Sequence, residues 1–361
     1  MAAATTTPTP APPSTTNTHH TLTLPRNVIA TLNPSAYLLA HLASSSPARP
    51  SGRSPTAFRA PSCTTSSLTH CAGSAVIRVG ATAVVCGIQA EILLAKDIAD
   101  PPRQEDAEFT AEDELARLQL LVPNVELATG CSPAHLPGGP PSSEAQTLAA
   151  RLNSLLHSSR LVDLSDLKIR YTPPKLDDDE EPQEQTVAYW TLYASIHVLS
   201  LSGSASLVDV CWGALLAALR DVRLPRAWWD ADVERVVASD EAAEARRLGL
   251  RGAPVACTWG VFGAGRGQLG MQLGQGQGQE QEQEGKGEDG SRAWVLADPD
   301  DFEDALCRET VTVTVDGSGG KMKILRIEKT GGSVVGAGEM RGLVAAAAER
   351  WKEWATVLGV E

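Results

Sequence analysis

Few side chains in this sequence stand at spacings that chemistry requires. Asp298 and Asp300, in the phrase Ala297-Asp-Pro-Asp-Asp-Phe-Glu303, could divide acid and base work between two carboxylates. The same phrase also reads as a helix start, with Asp300 or Asp301 capping a short helix over Phe302–Cys307, and the cap is the expected role. His197 lies inside the apolar run Thr186–Leu199, where a core histidine is expected rather than a general base. Cys63 with His70 and Cys71, and Cys131 with His135, lack the four ligands in paired short spacings that structural zinc needs, so no metal is expected. Gly265, Gly267 and Gly270 form a G-x-G-x-x-G after an expected strand, but a dinucleotide site needs a helix to open there. The following Gly/Gln tract cannot form one. A nucleophile elbow, a Walker lysine and an H-E-x-x-H pair are all absent, which removes the usual hydrolase and P-loop chemistries.

The elements that would position such groups follow from periodicity. Asn33 should cap a helix begun at Pro34, with Tyr37, Leu38 and Leu42 on its apolar side. Ser74–Val79 and Ala81–Ile88 are β-branched runs around Gly80 and read as a strand pair, which Ile92–Leu94 could extend. Asp100–Asp113 is polar and reads as a surface loop. Glu144–Ser158 sets Leu148, Leu152, Leu155 and Leu156 at helical spacing behind a Ser142 or Ser143 cap. Thr186–Leu199 is a buried strand, and Ser204–Val222 a helix with Leu207, Val208, Cys211, Leu215 and Leu219 inward. Val255–Phe262, Ala293–Leu296, Val311–Val315 and Met322–Ile327 read as further strands. Gly338–Leu358 reads as a closing helix with Leu343, Val344, Ala347, Trp351 and Trp354 on one side. Strands followed by helices in this order indicate an α+β fold rather than regular β-α-β winding.

Composition bounds the rest. The 361 residues are 42% hydrophobic with a net charge of −13, enough for a sizeable core in one large domain or two small ones. Leu176–Thr186 alone carries six acidic residues, and the Gly/Gln-rich stretch 263–292 five acidic against three basic. An acidic body does not bind nucleic acid through its overall field, so any such contact must be local. Seven scattered Cys indicate a reducing compartment, and no membrane span or secretory leader is expected. Residues 1–24 read as a disordered tail, and 25–361 as a single domain with disordered inserts at 174–186 and 263–292.

Six phrases in order give a further signal. They are Arg49-Pro-Ser-Gly-Arg53 with Phe58-Arg59, Gly73-Ser-Ala with Gly80-Ala-Thr82, Leu121-Val-Pro-Asn-Val-Glu-Leu127, Pro137-Gly-Gly-Pro-Pro-Ser-Ser-Glu-Ala-Gln146, Ala297–Glu303 and Ile327-Glu-Lys-Thr-Gly-Gly332. In them the chain resembles the RNase PH family, most closely the non-catalytic ring subunits of the eukaryotic RNA exosome. The resemblance implies the RNase PH-like β-α-β-α fold (ribosomal protein S5 domain 2-like), with helices packed on mixed sheets. It also implies pairing with other RNase PH-like ring subunits, S1/KH cap subunits as partners, and RNA passing through the channel. It places the chain in the nucleus and nucleolus, also the cytoplasm, and in 3′-to-5′ RNA processing and degradation, including ribosomal RNA maturation.

Family members that catalyse RNA phosphorolysis carry an Arg near the start of the helix after the Pro-Gly turn and an Asp-Gly phrase after the following strand. This sequence has Ser142, Ser143 and Glu144 at the first place, a degenerate phosphate site, and Ser202-Gly203 at the second, a degenerate acidic site. Phosphorolysis sets an inorganic phosphate beside a phosphodiester, which needs cationic or amide donors that a Glu opposes. Ser202 supplies no acid at neutral pH. The expectation is a structural subunit with no catalytic residues and no cofactor, an active phosphorolytic exoribonuclease being the alternative. Arg103 and Arg151 are the candidates for local contact with RNA.

Overall fold

A computed structural model describes residues 24–98, 111–133, 135–137, 142–173, 184–263, 293–331 and 335–360. The expected tail, the Gly265–Gly270 motif, Arg103 and most of both expected inserts lie outside the described residues.

Helices α1 (Arg26–Leu32) and α2 (Pro34–Leu42) come first; Asn33 Oδ1 caps α2 by accepting from the Ala36 amide at 3.2 Å. α1 was not expected: it buries none of its residues, so it leaves no apolar stripe to read. Strands β1 (Pro61–Thr65), β2 (Gly73–Val79) and β3 (Thr82–Leu94) follow, then α3 (Ala111–Arg117), β4 (Leu121–Leu127) and α4 (Ser143–Ser158). The expected loop at Asp100–Asp113 is therefore helical from Ala111. α5 (Leu164–Leu167), β5 (Lys168–Tyr171), β6 (Gln185–Ser200) and α6 (Leu207–Asp221) complete the first half.

The sheet runs β1-β2-β3-β6-β4, with β5 also paired to β6. It is mixed, because β4 runs parallel to β6 while the other pairs are antiparallel. Pro123 is tolerated in β4 because an edge strand need not donate on its open side.

Small strands β7 (Arg223–Leu224), β8 (Ala227–Asp230), β9 (Arg235–Ala238) and β10 (Arg246–Arg247) form two-stranded pieces. A second sheet, wholly antiparallel, follows in the order β12-β11-β13-β14, from β11 (Val255–Gly263), β12 (Ala293–Ala297), β13 (Glu309–Asp316) and β14 (Lys323–Thr330). The one-turn helix α7 (Asp301–Asp304) joins β12 to β13, and α8 (Ala337–Leu358) closes the chain. The hairpin expected around the Gly/Gln tract is present, with Gly263 opposite Ala293. β6 already begins at Gln185 and β11 runs through Gly263, so those ends of the two expected inserts belong to strands.

α6 departs from the one-sided packing read for it. Thirteen of its residues, Leu207 to Leu219, are buried, because it lies between β2 and β3 of one sheet and β11 of the other. A helix apolar all round belongs in an interior. Close approach fixes two glycines: a Cβ on Gly73 would meet the Ala218 carbonyl oxygen at 2.6 Å, and one on Gly213 would meet the Trp354 ring of α8 at 2.5 Å. One continuous apolar core therefore runs through both sheets with α4, α6 and α8.

Candidate functional site

The amino ends of α4 and α6 meet at a cleft of about 240 Å³, walled by Ser143, Glu144, Thr147, Arg151, Ser204 and Leu207. Of the residues singled out from the sequence, the structure brings Ser143, Glu144 and Arg151 into it. Ser142 stands next to it as the cap of α4, its Oγ accepting from the Ala145 amide at 3.1 Å. Glu144 occupies the first turn of α4, and its Oε2 lies 3.8 Å from His135 Nε2. A carboxylate there already satisfies the positive helix end that an external anion would use.

Arg151 faces β14 from two turns further along α4. Its Nε and one terminal nitrogen donate to Glu328 Oε2 at 2.9 and 2.6 Å, while Arg326 Nε forms an ion pair with Oε1 of the same carboxylate at 2.5 Å. The guanidinium expected to meet RNA is thus engaged within the chain.

The turn after β6 is held from two sides. Behind it, the Thr82 hydroxyl accepts from the Ser202 amide at 3.1 Å and lies 3.3 Å from the Ser202 carbonyl, which also accepts from Arg59 at 3.2 Å. Gly203 takes φ +91°, and a Cβ there would meet the Pro299 carbonyl oxygen at 2.4 Å, so only glycine fits. In front, α7 presents its carboxylates. Asp301 Oδ1 accepts from the Gly203 amide, and Asp304 Oδ2 accepts from the Ser204 and Ala205 amides at 3.0 and 3.1 Å. Burial pushes the Asp304 carboxyl above its ordinary value, the two amide bonds opposing the shift. Three successive backbone donors at the entrance to α6, the arrangement that elsewhere cradles phosphate, are occupied by the chain's own aspartates.

A buried ion cluster anchors α7. Arg49 and Glu303 are fully buried and pair at 3.1 Å, and Arg49 also donates to the carbonyls of Pro55, Ala57 and Ala297 at 2.6, 3.2 and 2.5 Å. Asp298 accepts from Arg59 on both oxygens, at 2.7 Å from Nε and 2.6 Å from a terminal nitrogen, and from the Arg59 amide at 3.0 Å. Burial raises the Asp298 carboxyl, but the Arg59 bonds and charge outweigh it and leave it below the usual carboxylate range. Asp300 caps α7 in a reciprocal capping box with Glu303, as expected. The two carboxylates that looked like an acid-base pair are therefore a buried ion-pair partner and a helix cap.

His197 corrects the reading made for it. Successive β6 residues alternate, with Leu192, Ala194, Ile196 and Val198 facing the core, so His197 falls on the opposite face. Its side chain is 45% exposed and its Nδ1 lies 3.3 Å from Glu126 Oε2. Sequence reasoning did not place Arg59, Asp301, Asp304 and Glu328 around these groups, although Arg59, Asp301 and Glu328 stand in the six ordered phrases and Asp304 follows one of them directly.

Comparison with known proteins matches residues 57–225 to the RNase PH family, described as the 3′ exoribonuclease family, domain 1. Over 304 residues, 84% of this chain and 88% of the relative, the chain is 31% identical to exosome complex component rrp43 of Schizosaccharomyces pombe. The chain belongs to the RNase PH family. Exosome complex component Rrp42 of Sulfurisphaera tokodaii is 28% identical over 190 residues, 53% of this chain and 57% of that protein. The fold agrees with an Archaeoglobus fulgidus exosome solved with RNA bound to the active site, at TM-score 0.57, 21% identity and 90% and 98% coverage of the two chains. It agrees equally with an archaeal exosome core at TM-score 0.56, 20% identity and coverage of 92% and 99%. The α+β RNase PH fold expected from the phrases is the fold observed. Two of those phrases meet in space, Arg49–Arg59 gripping Ala297–Glu303, while Thr82 and Glu328 of two others hold Ser202 and Arg151.

Proposed function

We propose that this RNase PH family chain is a catalytically silent subunit of an RNA exosome ring, supporting 3′-to-5′ RNA processing and degradation, ribosomal RNA maturation included. The observation that carries silence is the filling of the Gly203–Ala205 amides by Asp301 and Asp304, with Glu144 at the start of α4 and Arg151 bound to Glu328. Phosphorolysis must hold two anionic groups together, and a cleft with carboxylates on its donors opposes both. Kinship with the rrp43 exosome component supports the ring role.

In this reading the chain pairs with other RNase PH-like subunits, supports S1/KH cap subunits and borders a channel through which RNA passes. Its RNA contacts are local, from Arg103 and from Arg151 once released by Glu328. It works in the nucleus and nucleolus, also the cytoplasm. The alternative, an active phosphorolytic exoribonuclease, draws on the retained cleft and on the exoribonuclease character of the family.

Affinity isolation of the tagged chain from its source cells, with identification of stoichiometric companions, tests the ring role. RNase PH-like subunits in equal amount are expected. A chain recovered as a monomer that ignores every such subunit in reconstitution contradicts it.

A further inference from the structure

A second cleft, of about 530 Å³, opens beside Trp190 in β6. It is far from the cleft of Glu144 and Arg151, which is lined by Ser204 beyond the end of β6 at Ser200. Trp190 and Ser200 are separated by most of the strand, roughly 30 Å at about 3.3 Å per residue.

Four cationic side chains line this second cleft, Lys168, Arg170, Arg226 and Arg246, against two carboxylates, Asp166 and Glu244. On a chain of net charge −13 that is a local excess of positive charge. Both carboxylates are already engaged. Asp166 pairs through Oδ1 with Arg246 at 3.3 Å and accepts from the Gly249 amide on Oδ2 at 3.0 Å, and Glu244 pairs with Arg226 at 3.7 Å. Lys168 is held by Glu114 at 3.1 Å, which leaves the three arginines to meet a ligand. Their side chains are 45% (Arg170), 69% (Arg226) and 65% (Arg246) exposed, and Arg170 pairs with Glu184 at 3.1 Å. Ion pairs that exposed hold little, and a phosphate taking two parallel N–H bonds from a guanidinium can displace them.

Below the arginines the lining is apolar, from the buried Ile169, Trp190 and Leu224. Guanidiniums over an apolar floor suit a ligand that has both a polyanionic and an apolar part, and the volume falls in the range of about 300–1,000 Å³ that small-molecule sites occupy. A long acidic peptide or an RNA strand fits less well. It would run on past Asp230, Asp232, Glu234, Asp240 and Glu241, which stand on the adjoining β8–β9 hairpin and the segment leading to β10.

We propose that this cleft binds a nucleoside di- or triphosphate, its base against the apolar floor and its phosphates on Arg170, Arg226 and Arg246. The three arginines come from separate parts of the chain, so the bound phosphates tie β5 to the β7–β10 segment. The assignment is independent of the ring-subunit reading.

The test titrates ADP and ATP calorimetrically into the full chain, within the complex it is isolated in where it has one, and follows thermal unfolding. Tripolyphosphate, inositol hexakisphosphate, an Asp/Glu-rich peptide and a single-stranded RNA oligomer are titrated in parallel. ADP and ATP are expected to bind once per chain and to raise the unfolding temperature. Arg226→Ala with Arg246→Ala should weaken that binding about a hundredfold while leaving unliganded unfolding unchanged. Arg235→Ala with Arg247→Ala removes the same charge from exposed positions outside the cleft and should bind as wild type. Failure of ADP and ATP to bind, or equal binding by wild type and the Arg226/Arg246 variant, overturns the site. Equal loss in both arginine variants shows a general charge effect and overturns it too. Tripolyphosphate or inositol hexakisphosphate bound as tightly as ATP or more so overturns the nucleoside part. Peptide or RNA binding that needs Arg226 and Arg246 while the nucleotides do not bind overturns the choice of a compact ligand.

Discussion

Two buried aspartates show how environment decides what a carboxylate does. Asp298 is matched on both oxygens by Arg59, and its backbone is held at φ +50° in the left-handed region. Removing Arg59 would leave that buried carboxylate with only the longer ion pair to Arg53 at 3.6 Å, and loss of a buried partner costs up to about 3–5 kcal/mol in comparable sites. Asp209 on α6 is buried, accepting from the Thr258 amide at 2.7 Å on one oxygen and from the Thr258 hydroxyl at 2.7 Å on the other. Burial pushes its carboxyl up to about 7, the Thr258 bonds opposing the shift. Because the folded value lies above the unfolded one, its stabilising contribution is complete below about pH 4 and is lost as pH rises to about 7, at about 1.4 kcal/mol per pH unit. Asp209→Asn keeps the shape and can bond Thr258 without ionising. Its stability relative to wild type should therefore climb between about pH 4 and pH 7 and level off above, as read by urea unfolding across pH. A difference that stays constant across that range would contradict the assignment.

At the level of elements, the four-residue helix α7 does more than connect β12 to β13. Its side chains supply the acceptors for the turn that opens α6. Asp304→Ala strips acceptors from two backbone amides, so it should lower stability by about 1–3 kcal/mol and speed amide exchange at Ser204 and Ala205. Unchanged stability with unchanged exchange would show that solvent serves those amides equally well.

Regular elements were legible wherever one face carries the signal. α4 announced itself through Leu148, Leu152, Leu155 and Leu156, and β6 through an unbroken apolar run. β1 escaped notice because Pro61-Ser-Cys-Thr-Thr is an edge strand with little to bury, and β8–β9 because each strand is four residues long and carries no alternation of apolar and polar residues. The wiring of the cleft was not legible either. Arg59 and Asp298 stand 239 residues apart, and nothing in residue type or spacing encodes a partner at that distance. The ordered phrases did contain both, but as a resemblance they pointed to family before they pointed to contacts.

For the whole molecule, charge and surface agree with an assembled existence. Among the described residues no helix is long and apolar enough to cross a membrane. The chain's net charge of −13 opposes RNA binding through its overall field. Exposed apolar side chains on β14, and Leu199 and Tyr193 on the outward face of β6, are surfaces that a stable complex would cover. The most direct measurement of the central claim supplies the purified chain, alone and paired with its ring neighbour, with 3′-labelled RNA and inorganic phosphate, and follows nucleoside diphosphate release. With the Gly203–Ala205 amides occupied by Asp301 and Asp304, and Arg151 bound to Glu328, no release attributable to this chain is expected. Phosphate-dependent release that survives stringent purification and disappears when Arg151→Ala is introduced would contradict it.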